Sequence, residues 1–532
     1  MLRYMTVVGA LCAACAPFLS GGVPRPDVDA TVIALAVGSV LAALLAVAGG
    51  RAARVVAAVA GVGSAAAVWW LLVSDLLIGL TGADLPVLAV GSLAVAVGAI
   101  GLVGPRSPTG PDDEVGRRPG RWRVRPVGVA AAVVVAVAAW FAPVGAEAVI
   151  VRSDPRDARN FAPEPVAERP GGRQWAWQPP ADVVAVAPIL HGVAVATRDG
   201  AVVGLNGTDG RVEWRYARPG APVGAVVASV DRRTVVVSFR SVHDTRAQSV
   251  VVLDADTGAP RFDLVVRSVL VETDQLRPGT RTLTVRDGEA VTGYDVVSGE
   301  PRWRWSTPDG CTSWFGQVAW GRTTVLVPTV CPGTLGVTAL DEATGEPRWR
   351  HEVRRVEADD ERQDVRLHGT PDGSTVLLQT FGAAQTPEAV PNGLLDTGTG
   401  RVLTRPERPW TVRTDLGVTP LVEESEGGRV TSLAALDPAT GATTPLPIDD
   451  CPLRTADLTT ATTYVRACAD TGRELTLVTH PLDGSPPTST PVRLDGSGAR
   501  GRPDVLLVAA PGAIVVTRTS FGGTPAPVVG LR

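Results

Sequence analysis

Lysine is absent from this chain of 532 residues: all 50 basic side chains are arginine, set against 54 acidic ones. The formal net charge is −4, so there is no global attraction for nucleic acid. Ala, Val, Gly and Pro dominate, and the arginine bias therefore fits the codon usage of a high-GC bacterial genome rather than a basic function. The six cysteines include no adjacent pair. The five histidines (His191, His243, His351, His368, His480) are scattered, without metal-ligand spacing. No serine nucleophile elbow and no phosphate-cradling glycine loop occurs. The acidic pairs near 359–361, 423–424 and 449–450 fall between predicted strands and read as solvated loops. No catalytic, cofactor or metal residue set emerges.

Charge is also absent from five separate runs, 4–24, 30–50, 55–74, 85–105 and 126–146. A helix of about 20 residues, rising about 1.5 Å per residue, covers the roughly 30 Å hydrocarbon core. Their Ala, Val, Leu and Gly suit close helix packing in lipid. Arg3, Arg51, Arg54, Arg106, Arg117, Arg118, Arg121, Arg123 and Arg125 fall on one side of such a five-span arrangement, and Arg25 alone falls in the short loops of the other. Basic loops stay cytoplasmic. The N-terminus is therefore expected inside and everything after residue 146 outside. Cys12 and Cys15 fit a lipoprotein cleavage site poorly, so an uncleaved first helix is expected. Asp75, at the outer end of the third run, reads either as an ion or proton site or, given its depth, as an interfacial carboxylate. The Arg-rich loop 104–126 sets topology and has the composition to meet anionic lipid headgroups.

Residues 147–172 are rich in Pro and charge and read as an extracellular stalk. Beyond it come short runs of Val and Thr bounded by Gly, Asp and Pro, the pattern of strands, with no helical periodicity past Gln178. One unit recurs every 41 to 55 residues. An apolar residue ends a strand, Asp or Asn opens a turn, and Gly closes it. The turn pairs are Asn206 and Gly210, Asp254 and Gly258, Asp295 and Gly299, Asp341 and Gly345, Asp396 and Gly400, and Asp437 and Gly441, with a degraded copy at Asp483 and Gly484. Four residues past the first four glycines stands an aromatic: Trp214, Phe262, Trp303 and Trp349. A ring at a fixed place in each unit can pack on the next. A period in the forties made of short strands predicts a β-propeller.

The pattern A-x-D-x-x-T-G-x-x-x-W, complete from Ala339 to Trp349 and nearly so from Gly293 to Trp303, resembles the repeat of the pyrroloquinoline-quinone-like (PQQ-like) β-propeller family. The resemblance covers residue 174 to the end. It implies a propeller fold. It does not choose an activity, because the family contains quinoprotein dehydrogenases and also non-catalytic scaffolds such as the propeller lipoprotein of outer-membrane assembly. The dehydrogenases hold their quinone beside an adjacent Cys-Cys pair and a calcium ion, and neither motif can be mapped here.

Seven turn units give seven blades, and the strands near the C-terminus begin an eighth. The fourth strand of that blade is missing at the C-terminus. The stretch around Trp175 and Trp177 resembles a fourth strand and has no blade of its own. Pairing the two closes the ring. Cys311 and Cys331 lie equidistant from Gly321, and Cys451 and Cys468 are symmetric about Thr459 and Thr460. Two disulfides are expected in an exported domain, with four buried thiols as the alternative.

The expected protein is thus an all-β eight-bladed PQQ-like propeller (173–532) preceded by an α-helical five-span membrane domain (1–146) and a stalk (147–172). The expected function is that of a membrane-anchored, extracellular, non-catalytic binding scaffold without cofactor. Its expected partners are membrane lipids and an extracellular protein, peptide or cell-wall ligand, with no nucleic acid. The alternative is a quinone-dependent oxidoreductase. A third reading gives the function to the spans, with the propeller as regulator.

Overall fold

A computed structural model of the chain describes all residues except 20–27, 104–125, 160–161, 241–246, 268–275, 277, 288–289, 313–317, 355–363, 382–392, 405–410, 415, 427–428, 449–450, 452–453, 470–473, 495–504 and 520–523. The chain divides into a helical unit built on Met1–Arg152 and a β unit built on Ser153–Ala217, Pro222–Arg240 and Gln248–Arg532.

The helical unit holds α1 (Leu2–Cys15), α2 (Val28–Ala48), α3 (Arg51–Leu77), α4 (Asp84–Val103) and α5 (Pro126–Ile150). Among the described residues, four stretches are long and apolar enough to cross a membrane: Ala30–Ala48, Arg51–Leu77, Asp84–Val103 and Pro126–Ile150. The first apolar run, expected as a full span over 4–24, differs. It forms α1 and a 3-10 turn at Ala16–Phe18, because Pro17 has no N–H to continue the α ladder. Its last residues and the Arg-rich loop lie outside the described residues. The described residues of the five expected spans thus form four helices of spanning length and one short apolar helix. Small residues set the packing of the helices. A Cβ added to Gly9 of α1 would lie 2.8 Å from the Ala94 Cβ of α4, and one on Gly61 of α3 would lie 3.3 Å from the Ala96 Cα. Asp75 is buried near the end of α3.

The β unit is a ring of eight antiparallel sheets. Blade 1 comprises Val183–Ile189, Gly192–Thr197, Ala201–Asn206 and Val212–Ala217, with Arg152–Asp154 added outside the last. Blades 2 to 7 occupy 223–267, 282–306, 319–354, 364–404, 411–446 and 454–493. Blade 3 shows three strands among the described residues, the others four. Blade 8 takes Val505–Ala510, Ala513–Arg518 and Val528–Leu531 from the C-terminus and its outer strand, Gln174–Trp177, from far upstream. In that closing pair Gln174 faces Leu531 and Trp177 faces Val528. First strands of blades 7, 8, 1 and 2 contact one another in turn, so they line the inside of the ring. Second strands have both faces covered; every residue of Gly192–Thr197 is buried, which is why these runs read as unbroken Val, Ala and Thr. Outer strands alternate instead, and in Pro301–Ser306 only Trp303 is buried.

The recurring turn carries two constraints at once. The carboxylate of Asp341 accepts the amides of Ala343 (2.8 Å) and Thr344 (3.0 Å), while the Gly345 amide returns to the Asp341 carbonyl at 2.8 Å. Gly345 has φ +72°, a region costly for other residues. It is also covered: a Cβ there would lie 2.6 Å from the Trp303 ring of the preceding blade. Gly258 repeats this under Trp214, Gly299 under Phe262, Gly400 under Trp349 and Gly210 under Trp175. Each indole donates its N–H to the carbonyl of the residue after the turn Asp or Asn of the next blade. These bonds are Trp175 to Gly207 (2.9 Å), Trp214 to Ala255 (3.1 Å), Trp303 to Glu342 (2.8 Å) and Trp349 to Thr397 (3.1 Å). Phe262 has no N–H, and there Arg261 Nη1 donates to the Val296 carbonyl at 3.3 Å.

Aromatic docking therefore runs from blade 8 through blades 1 to 4 onto blade 5. Thr404 stands in the ring's place over Gly441, and no described residue covers Gly484. Trp177 packs partly buried against the cluster that joins blades 8 and 1. Two disulfides, Cys311–Cys331 and Cys451–Cys468, tie the segments before the second strands of blades 4 and 7 to those strands.

Trp175→Ala removes both the ring and the N–H that join blades 8 and 1. It should lower the stability of the β unit by about 3 kcal/mol, read from denaturant melting of the full chain in detergent by near-UV circular dichroism. Trp70→Ala, on the exposed side of α3, should leave the midpoint unchanged. Equal midpoints for both variants would show that the seam is not held by Trp175.

Candidate functional site

The turns that join first to second strands and those that join third to fourth lie at the same end of the ring, since successive antiparallel strands alternate direction. The described parts of 152–173, expected as a free stalk, are extended but run along this end of the β unit. They attach at two places.

The first attachment joins blades 1 and 2. Arg156 donates Nη1 to Glu213 and Nη2 to Asp256, both at 2.6 Å, and its Nε to the Asp256 carbonyl at 3.0 Å. Its own amide donates to the Thr257 carbonyl at 3.0 Å. The Arg159 amide reaches Asp256 Oδ2 at 2.8 Å, and its guanidinium pairs with Glu213. Asn206 adds an amide donor to Glu213 at 2.8 Å. His191, with a side chain only 7% exposed, places Nε2 3.6 Å from Asp256 Oδ1. Burial pushes the His191 imidazole below its ordinary value, Asp256 opposes that, and the two arginines reinforce it. Burial pushes the Glu213 carboxyl up, but the hydrogen bonds from Arg159 and Asn206 and the charges of Arg159 and Arg156 outweigh it and hold it low.

The second attachment joins blades 7 and 8. Val166 forms an antiparallel bridge with Pro511, the Ala167 amide donates to the Ala510 carbonyl at 3.1 Å, and the Gly512 amide donates to the Pro165 carbonyl at 3.0 Å. Glu168 Oε2 accepts the Thr462 amide (3.1 Å) and hydroxyl (3.0 Å), and its carbonyl accepts the hydroxyls of Thr460 and Thr463.

Between blades 6 and 7, where no aromatic docks on the turn, a buried polar cluster fills the seam. Tyr464 donates to Asp457 at 2.8 Å and stacks on His480. Arg466, 1% exposed, donates to the Tyr464 oxygen (Nη2, 2.9 Å) and to the Pro447 carbonyl of blade 6 (3.0 Å). Tyr464, Arg466 and Cys468 alternate onto one face of their strand. Sequence reasoning missed this cluster, because an i, i+2, i+4 run of Tyr, Arg and Cys carries no motif. Outside, a cleft of about 580 Å³ between blades 7 and 8 is lined by Gln174, Trp175, Val492, Arg493 and Val529 among others.

Four of the histidines fall in four blades: His191 in blade 1, His351 in blade 4, His368 in blade 5 and His480 in blade 7. His243 lies outside the described residues, as do the acidic stretches 359–361 and 449–450. Glu423 and Glu424, expected in a loop, stand in the strand Leu421–Glu426, and Glu423 Oε1 lies 3.8 Å from Arg413. Among the described residues no three His, Cys, Asp or Glu side chains group as metal ligands. The docking and turn residues come together pairwise at five blade junctions rather than in one pocket.

The clamp on blades 1 and 2 fixes an acid response. His191 is held neutral in the folded protein below its unfolded value of 6.5. The folded state therefore binds fewer protons, and stability falls as pH drops below 6.5. Glu213, depressed below 4.5, adds a second loss as pH falls below that value. His191→Gln should flatten the melting profile between pH 6.5 and 5 and leave the arm below 4.5 in place. Arg156→Ala should cost about 2 kcal/mol at pH 7, through loss of charge-assisted hydrogen bonds. Melting across pH 4 to 8 reads both.

Residues 198–444 match the sequence model of the family described as Outer membrane protein assembly factor BamB. No curated protein matches the chain. Among solved structures, the chain is similar to BamB from Moraxella catarrhalis, at 18% identity over 67% of this chain and 100% of that one, with a TM-score of 0.40. It is also similar to the C-terminal WD40 domain of Sif2 (11% identity, 70% of this chain and 100% of that one, TM-score 0.42). The WD40 domain of SCAP from fission yeast is a third (10% identity, 69% and 98%, TM-score 0.42). The matched segment, the recurring turn and the eight blades together support the PQQ-like β-propeller repeat family for the β unit of this chain.

Proposed function

We propose that this protein is a non-catalytic interaction scaffold, anchored in the plasma membrane by its N-terminal helices and presenting its propeller outside the cell. The observation that carries the reading is the propeller itself. Its recurrent residues, from Asn206 and Trp214 to Asp437 and Gly441, are spent on joining blade to blade and hold no reacting group together. The family whose model matches is described as an assembly factor, which favours a protein partner over a small substrate. Both disulfides lie in the β unit, and disulfides persist in exported domains. The proposed division is 1–146 for the membrane domain, 147–172 for the connecting segment and 173–532 for the propeller.

The proposed outside position of the propeller is supported by α2 to α5 without α1. With the arginines of 51–54 and 106–125 inside, α5 delivers the chain to the outside whether or not α1 crosses. The five-span version adds a cytoplasmic N-terminus. Reporter fusions at Met1, after Gly49, after Gly110 and after Arg173 read every side. Outside activity at Arg173 with inside activity at Gly49 and Gly110 is expected. A cytoplasmic signal at Arg173 overturns the localisation, while an outside signal at Met1 leaves four spans.

The scaffold reading is tested by photo-crosslinkers placed singly at exposed turn positions of each blade in intact cells. Reproducible crosslinks to one protein from adjacent blades are expected. Purified protein that binds PQQ and calcium stoichiometrically and reduces a dye with an alcohol would replace this reading with an oxidoreductase.

A further inference from the structure

The attachment of residues 165–168 at blades 7 and 8 has the form of a bound peptide. Main-chain groups are satisfied on both sides of Val166, by the Ala510 carbonyl and the Gly512 amide, as in peptide recognition by strand addition. One small side chain, Ala167, packs against the apolar cluster shared by blades 7 and 8. One charged side chain, Glu168, enters the turn 460–463 and meets an amide and a hydroxyl there. The rest of the segment touches little: residues 162–165 and Glu168 are exposed, and Val166 and Ala167 are only half-buried.

The receiving turns also hold bonds of their own. The Thr460 amide donates to the Thr463 carbonyl at 2.9 Å, and the Thr460 hydroxyl accepts the Thr463 amide at 2.9 Å, which closes that turn on itself. The neighbouring hairpin closes through the pairing of Ala510 with Ala513. A preformed groove that supplies a donor, an acceptor, an apolar contact and a carboxylate receptor binds any extended chain with matching groups, because preorganisation removes much of the ordering cost.

We propose that this groove on blades 7 and 8 is a recognition site for an extended, glutamate-bearing segment of a partner protein, and that residues 165–168 are its built-in occupant. The proposal rests on the scaffold reading and names the kind of segment the scaffold accepts. Tethering raises the occupant's effective concentration to about the millimolar range for a short link. A partner segment therefore gains the groove only by binding more tightly, or after the tethered segment is pulled away. Main-chain bonds set the extended form, Ala167 sets a small residue, and Glu168 sets the charge.

The test uses the full chain in detergent and a fluorescein-labelled synthetic peptide of residues 162–170. In the double variant Ala167→Arg with Glu168→Ala the built-in segment no longer fits. This variant should bind the peptide with an affinity at least about tenfold above that of the unaltered protein, whose groove is filled. Replacing the peptide residue that corresponds to Glu168 by alanine should weaken binding about tenfold, the scale of one charge-assisted hydrogen bond. Thr460→Val with Thr463→Val in the released variant should weaken it likewise. No binding by a released variant that melts normally overturns the proposal, and so does equal binding of the alanine peptide. A released variant that fails to fold also overturns it, because the segment is then a structural strut. Crosslinkers at Thr462 and at distant blades separate the two readings. Capture of a partner elsewhere but never at Thr462 removes the groove and leaves the scaffold, whereas capture at no position removes the scaffold.

Discussion

The β unit depends on one contact made five times: an aromatic ring on the outer strand of one blade laid over the turn glycine of the next. Where the ring is an indole, its N–H reaches the carbonyl beside that glycine, so one side chain supplies both apolar burial and a directed hydrogen bond. The contact explains why two distant sequence features travel together. The glycine is needed for its positive φ and also because a Cβ would occupy the space of the incoming ring, as at Gly258 under Trp214. The turn Asp is needed because its carboxylate holds the loop in the shape that aims the carbonyl. Asp295 shows how strongly: its carboxyl is pulled down to about 2, first by the Ser298 amide.

Where that contact lapses, other chemistry takes the seam. Phe262 keeps the ring but loses the donor, and Arg261 supplies one. Between blades 6 and 7 the ring is absent, and Tyr464 and Arg466, next to the Cys451–Cys468 disulfide, bind blade 6 from the inner side. Between blades 7 and 8 the outer edge stays open as a cleft, and the inner hairpins are bridged by Val166 to Glu168. The ring is therefore held by outer aromatic docking at five junctions and by other contacts at the junctions between blades 6, 7 and 8. The polar seam is also the more demanding, since an arginine buried like Arg466 tolerates no missing acceptor.

The ring was legible because its seam is written locally: Asp, Gly and Trp fall within eleven residues, from Ala339 to Trp349, and repeat. The eighth blade was legible for the same reason, since Gly172 to Trp177 carries the outer-strand pattern with no blade beside it. The cysteine pairs were legible through symmetry about a hairpin. The parts not legible are those that join residues far apart by chemistry with no period. Arg156 meets Glu213 and Asp256, and Glu168 meets Thr460 to Thr463, almost three hundred residues on. A Pro-rich, charged segment such as 147–172 has the composition of a free linker, and composition does not record that its partners lie in blades 1, 2, 7 and 8. The first apolar run was read by length alone, and Pro17 divides it.

The segment 152–177 thus has a larger part than its composition suggests. It adds a strand outside blade 1, pairs with two carboxylates at blades 1 and 2, crosses to the hairpins of blades 8 and 7, and ends as the outer strand of blade 8. Four consecutive blades are joined by one piece of chain, and those blades flank the point where the ring's two ends meet. Loop closure on this scale carries an entropic cost that grows only slowly with length. A single docked indole at Trp175 offsets part of it. Hydrogen bonds at Arg156 hold the start of the same segment on blades 1 and 2, beside the blade that its end completes.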